Sequence, residues 1–116
     1  MLINKVELED IDIWDVEEAE KYENALDKVV KVAKATDSED LKISESIRKQ
    51  CTSIFGCFNE IFGEGTDKKV FGDRVNLLIC LKVFEELVIA MNSQKEEVQK
   101  LANKYSPNRA QKRAKK

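Results

Sequence analysis

The spacing of apolar residues changes character along the chain. At the start, Leu2, Ile3, Val6 and Leu8 alternate around Asn4-Lys5. Asn adopts positive φ readily, so this stretch predicts a short β-hairpin. Two strands this short cannot stand alone. Ile11, Ile13 and Trp14 follow and are expected to anchor the arm to a helical body.

From Asp15 the period becomes helical. Asp15 and Glu18 form a capping box. Ala19, Tyr22, Leu26, Val29 and Ala33 then share one face, with Ala25, Val30 and Val32 widening it. This helix is expected to end near Ala35. A second box, Thr36 with Glu39, predicts the next helix. Its stripe is Ile43, Ile47, Cys51, Ile54, Phe58 and Ile61, with Phe55 and Phe62 alongside. Gly63 and Gly65 stop it, by the preference of Gly for the left-handed position after a helix. Gly56 lies inside the pattern, where it either permits a close helix crossing or is simply tolerated.

Asp67 is expected to cap a short turn and Asp73 a third helix. Leu77, Leu81, Phe84, Val88 and Met91 form the expected seam of that helix. Val75, Leu78, Ile79, Val83, Leu87 and Ile89 fill its other faces. A helix apolar nearly all round is buried on several sides, so it is expected either at the centre of the bundle or in an oligomer interface. Beyond Asn92–Lys95, where Ser93 and Glu96 could form a further box, either this helix continues to Lys104 or a fourth begins at Gln94. Val98, Leu101, Ala102 and Tyr105 keep a narrow apolar face there. Pro107 ends the ordered part.

The fold expected is mainly α: a small bundle of three to four helices with a short N-terminal β-hairpin arm and a flexible basic tail. Residues 1–14 form the arm, 15–105 the helical domain and 106–116 the disordered tail. One domain is what 116 residues allow. The 42% apolar and 36% charged content suits a charge-coated helical globule. It excludes collagen, a disulfide scaffold and a wholly disordered chain. One Pro and four Gly are too few for the turns of a small sandwich or barrel.

Net charge is −2, but five positive charges (Arg109, Lys112, Arg113, Lys115 and Lys116) fall in residues 106–116, where there is no acid. The remainder therefore carries −7. An acidic body with a basic tail argues against a uniformly basic nucleic-acid face. The tail alone would bind nucleic acid weakly, in a salt-sensitive way and without sequence specificity. It has no aromatic residue to stack on bases.

There is no histidine. That removes the Ser-His-Asp and Cys-His triads and every His-based metal site. Cys51, Cys57 and Cys80 have neither disulfide-framework nor zinc spacing, and are expected to be free, buried thiols in a reducing compartment. Gly63-Glu64-Gly65 resembles a phosphate loop only superficially, because it ends a helix and carries acids. The acids from Glu7 to Glu20 are expected to be a solvated helix entry. Phe55, Phe58 and Phe62 are expected to be core rather than a ligand pocket. No cofactor, metal or catalytic function is expected. The N-terminus lacks a basic region followed by an apolar run, and no segment has the length and hydrophobicity of a membrane span. A cytoplasmic protein is expected. Trp14, Tyr22, Met91, Leu101 and Tyr105 are the candidate partner contacts, since aromatic residues are enriched at binding hot spots.

Three segments carry a resemblance. They are Leu2–Leu8 with Ala19–Glu23, the central Phe71-Gly72-Asp73-Arg74-Val75-Asn76-Leu77, and the ending Pro107-Asn108-Arg109-Ala110-Gln111-Lys112-Arg113. Together they resemble a family of small proteins encoded by phages and prophages of Gram-positive bacteria. The ending resembles the C-termini of small phage morphogenesis proteins, tail assembly chaperones among them. Such proteins often have Asn-Gly at the hairpin, where this chain has Asn4-Lys5. The resemblance implies a non-enzymatic role in virion assembly, in the host cytoplasm or on the virion, with phage structural or tail proteins as partners. A chaperone of this type shields the apolar surface of the tape-measure protein until tail-tube subunits polymerise around it. The alternative is a nucleic-acid-associated prophage regulator that uses the tail.

Overall fold

The computed structural model describes residues 1–105. The basic tail, and with it Arg109, Lys112, Arg113, Lys115 and Lys116, lies outside the described residues. The chain forms strands β1 (Leu2–Ile3) and β2 (Val6–Glu7), then helices α1 (Val16–Ser38), α2 (Ile43–Phe62), α3 (Thr66–Phe71) and α4 (Leu77–Lys104). It is the expected mainly α bundle with an N-terminal hairpin.

The hairpin is antiparallel, with Leu2 opposite Glu7 and Ile3 opposite Val6. Asn4 and Lys5 both have positive φ, 51° and 65°. That pair of angles is the two-residue turn whose twist matches the strands, and it favours Gly at its second position. Lys5→Gly is therefore expected to stabilise the protein by about 0.5–1 kcal/mol, measured by urea unfolding. Asn4 also ties the turn to the body. Its side-chain amide donates to the Val70 carbonyl at 2.6 Å, and its backbone N–H donates to Glu86 at 2.7 Å. Ile3, Leu8, Ile11 and Ile13 are buried in the same core as the helices.

Asp15 caps α1 as expected, its carboxylate accepting from the Glu18 N–H at 3.2 Å. On the wet side Asp27 and Lys31 form an ion pair one turn apart at 2.9 Å. The helix does not stop at Ala35. Thr36 lies inside it, buried, with its hydroxyl donating back to the Ala33 carbonyl at 2.9 Å. A Thr with that local acceptor is satisfied within the helix and is not free to cap the next one. The second helix accordingly begins after Lys42, with no side-chain cap. Ile43, expected on the buried stripe, is exposed at its first turn.

α1 and α2 run antiparallel, tied by Lys28–Glu60 at 2.7 Å and Lys49–Glu39 at 2.9 Å. The central helix is α2: α1, α3 and α4 all pack on it. Its Cys51, Ile54, Cys57, Phe58 and Ile61 are buried. The aromatic stripe is core, as expected. Phe58 meets Phe71 of α3 edge-on at 5.3 Å and stacks on Phe62 at 5.9 Å, while Phe55 lies 5.0 Å from Phe71. Gly56 is not a close crossing, because a Cβ there would meet nothing within 4 Å. Gly56→Ala is expected to stabilise by about 0.5–1 kcal/mol through helix propensity and a less flexible unfolded chain, again measured by urea unfolding.

Gly63 ends α2 at φ 111°, a conformation that side chains strain to adopt. The following turn starts α3 without help from Asp67 as a cap. Asn59 of α2 does that work across the turn, accepting from the Asp67 N–H at 2.9 Å. The last helix is capped by Asn76, not Asp73. The Asn76 side chain accepts from the Ile79 N–H at 3.1 Å. The helix is continuous through Asn92–Lys95 to Lys104, about 42 Å long.

The buried seam of α4 is Cys80, Val83, Leu87 and Met91. The expected seam of Leu77, Leu81, Phe84, Val88 and Met91 is therefore corrected. Except for Met91, its members face outward or sit at the border. Both faces of this helix are apolar enough to be core, and α2 covers only one.

Candidate partner-binding surface

The buried seam of α4 advances by three and four residues: Cys80, Val83, Leu87, Met91. The same steps lead on to Gln94, Val98, Leu101 and Tyr105. Through Met91 this row is inside the core. From Lys95 onward no described residue is buried. Leu101 is 55% exposed and Tyr105 72% exposed. The helix thus carries its core-facing row past the end of the body, where nothing in the described chain covers it.

Gln94 marks the last clamp. Its side-chain amide donates to the Ile11 carbonyl at 2.7 Å and accepts from the Ile13 N–H at 3.1 Å. One side chain therefore satisfies two backbone groups of the arm, which holds residues 11–13 along α4. Trp14 follows directly, its indole N–H donating to the Gln94 carbonyl at 3.3 Å. The ring remains 53% exposed. Beneath it lies a cleft of about 230 Å³ lined by Ile13, Trp14, Ala19, Tyr22, Glu23 and Lys95.

The candidate contacts named from sequence therefore separate into two groups. Trp14, Leu101 and Tyr105 are exposed, along α4 and at its junction with the arm. Tyr22 is only 4% exposed and forms part of the cleft's floor. Met91 is fully buried. Tyr22 and Met91 are corrected to core positions, because α1 and α4 turn those faces onto α2 and the arm. Gln94 escaped the sequence reading. Its signal was a long amide side chain on the apolar row, where a polar residue needs partners.

Lys95, Lys100 and Lys104 share this end with Glu96 and Glu97, so the rim is mixed in charge. The Lys104 ammonium sits 5.4 Å from the Tyr105 ring centre, within reach of a cation–π contact. Two larger clefts, of about 530 and 510 Å³, lie along the α1–α2 groove around Val32 and Ser53. Among the described residues no buried side-chain N or O atom lacks a hydrogen-bond partner. Neither cleft therefore holds a buried, unpartnered polar side chain among the described residues.

The thiols are placed for packing. Cys51, Cys57 and Cys80 are free and buried. Burial pushes the Cys57 thiol up to about 12, with nearby Glu60 adding to the effect. Burial likewise pushes Cys80 up to about 12, helped by Cys51, which the fold brings beside it from α2. Both stay protonated at neutral pH and are poor nucleophiles.

The folded-state values lie above the ordinary thiol value of 9.0. The stability tied to the neutral thiols is fully present below pH 9 and is lost as pH rises toward 12. Thermal melts are expected to show a falling midpoint above about pH 9. At about pH 8 a disulfide exchange reagent is expected to leave all three thiols unmodified until the chain is unfolded.

Among the described residues no group of three or more His, Cys, Asp or Glu is arranged to hold a metal ion. Among them, no helix is long and apolar enough to cross a membrane. No curated protein and no solved structure matches the chain. The model of a family of unknown function, DUF6673, matches residues 4–116, and the chain belongs to that family.

Proposed function

We propose that the chain is a non-enzymatic phage or prophage morphogenesis protein that works by binding another protein, in the manner of a tail assembly chaperone. The observation that carries the binding role is the row Val98, Leu101 and Tyr105. It continues the core-facing seam of α4 beyond the body, where no described residue buries it. The phage assignment rests on the three segments that resemble small phage proteins.

The occupant that fits is the apolar face of an amphipathic helix from a structural partner. Such a helix would complete the seam as α2 completes it further back. Trp14 and Tyr105 supply large, stiff contact area, and residue types of this kind dominate binding energy when desolvated. The surface is short, so most of the gain from burial is offset by the cost of association, and binding is reversible. Reversibility suits a protein that holds a partner only until assembly displaces it. The five positive charges of residues 106–116 follow this helix directly in sequence. They favour a partner with acidic segments and make capture sensitive to salt.

The test is a tagged pull-down from nuclease-treated lysate of a prophage-induced host, read by mass spectrometry. An untreated lysate and a chain lacking residues 106–116 run beside it. Tail-tube or tape-measure proteins are the expected catch. Recovery of only nucleoid or transcription proteins, or of partners that vanish with nuclease, would move the assignment to a nucleic-acid-associated regulator.

A further inference from the structure

Charge is segregated along this chain. Residues 7–20 hold eight acids and no Lys or Arg, while residues 106–116 hold five bases and no acid. The fold gathers part of the acidic run around the cleft beneath Trp14. Ile13, Ala19 and Tyr22 give that cleft an apolar lining, completed by Glu23 and Lys95. Asp15, Ala19 and Glu23 follow at steps of four on one side of α1, with Glu20 in the adjoining row. Asp12 lies in the arm just before, its carboxylate accepting from the Trp14 backbone N–H at 3.0 Å. Asp12, Asp15, Glu20 and Glu23 are all exposed. Among the described residues no Lys or Arg forms an ion pair with any of them. The Trp14 ring is held at one edge by its hydrogen bond to Gln94, and half of it stays open.

We propose that residues 106–116 of the same chain dock over this cleft in the free protein, with their basic side chains among these acids and against the Trp14 ring. Two observations select that occupant. The first is charge complementarity: an acidic rim without bound bases faces a segment that carries only bases. The second is reach. Gln94 holds Trp14, and α4 is capped eleven residues later at Tyr105, about 16 Å away. Eleven extended residues cover about 36 Å. Lys112, Arg113, Lys115 and Lys116, seven to eleven positions beyond Tyr105, therefore come back level with the first turns of α1. A cation over an indole face is itself attracted to it. Exposed ion pairs are individually weak, but a short tether supplies an effective concentration of about a millimolar, so a weak contact is populated. A partner's acidic segment then competes with the arm for the same charges. The inference concerns the free chain and holds whatever that partner is.

Trp14 is the only tryptophan, so its fluorescence reports the contact directly. The test compares acrylamide quenching of the full chain with that of a chain lacking residues 106–116, which keeps every described residue. In low salt the full chain is expected to be quenched about twofold less, a difference that closes in about 1 M salt, where charges act over only about 3 Å. Glu20→Lys combined with Glu23→Lys is expected to bring quenching of the full chain up to that of the truncated one. The circular dichroism spectrum is expected to be unchanged, since both positions are exposed. A peptide of residues 106–116, added at about a millimolar, is expected to restore protection to the truncated chain. The same peptide with Gln in place of each Lys and Arg is expected to give none. Equal quenching of the full and truncated chains in low salt would overturn the proposal. So would a difference that persists in high salt or survives the two substitutions. Protection lost on dilution of the full chain to low micromolar concentration would put the tail on another copy, and would overturn it as well.

Discussion

Phe58→Ala is expected to destabilise the protein by about 3–5 kcal/mol, the usual cost of removing a buried aromatic ring. Phe58 has no exposed surface. Its ring is gripped from two directions, edge-on by Phe71 of α3 and face-on by Phe62. Deleting it strips aromatic contacts from α3 and opens a void at the helix against which the other three helices pack. A six-residue helix such as α3 has little stability of its own and depends on that contact. Domains of this size hold only about 5–15 kcal/mol in total, so the variant is expected to lose a large part of its reserve. Urea unfolding followed by circular dichroism measures it, and Phe58→Leu is expected to recover more than half of the loss. A cost below about 1 kcal/mol would mean that the aromatic cluster is not the centre of the core.

The second large effect is on binding and leaves stability alone. Leu101→Glu combined with Tyr105→Ala is expected to keep the unfolding free energy within about 0.5 kcal/mol of wild type, because neither residue is buried. The same pair is expected to lower partner capture at least tenfold, because truncating a binding hot spot costs about 2 kcal/mol or more. Met91→Ala provides the contrast. It lies on the same helix row but within the core, so it is expected to cost about 2–5 kcal/mol of stability while leaving the exposed contacts in place. If the surface pair destabilised the fold as much as Met91→Ala, the row beyond Gln94 would be structural.

Features set by neighbours in sequence were legible before the structure. The Asn4-Lys5 turn and the Asp15 cap need only a few adjacent residues. The stripe of α2 is apolar on one side only, so its period alone identifies the buried face. The misreadings share a physical cause. On α4 two faces are apolar, and the choice between Leu81 and Leu87 is made by where α2 lies. Thr36 reads equally as a cap and as an interior residue, and the Ala33 carbonyl decides it. Tyr22 and Met91 resembled partner contacts by residue type, but their burial comes from tertiary packing. Of the proposed surface, Trp14, Leu101 and Tyr105 were legible as apolar residues at a helix entry and beyond the main seam. The clamp by Gln94 was not, because it joins residues 81 and 83 positions apart. Cys51 and Cys80 are likewise neighbours only in the folded chain.

The most direct test of partner binding at this row places a photo-crosslinking amino acid at position 101 in the full chain, expressed in a prophage-induced host. A second chain carries it at position 34, an exposed site on α1. The expected result is a discrete adduct with a phage structural protein from position 101 and none from position 34. No adduct at 101, or the same adducts from both positions, would contradict a binding site on the free end of α4.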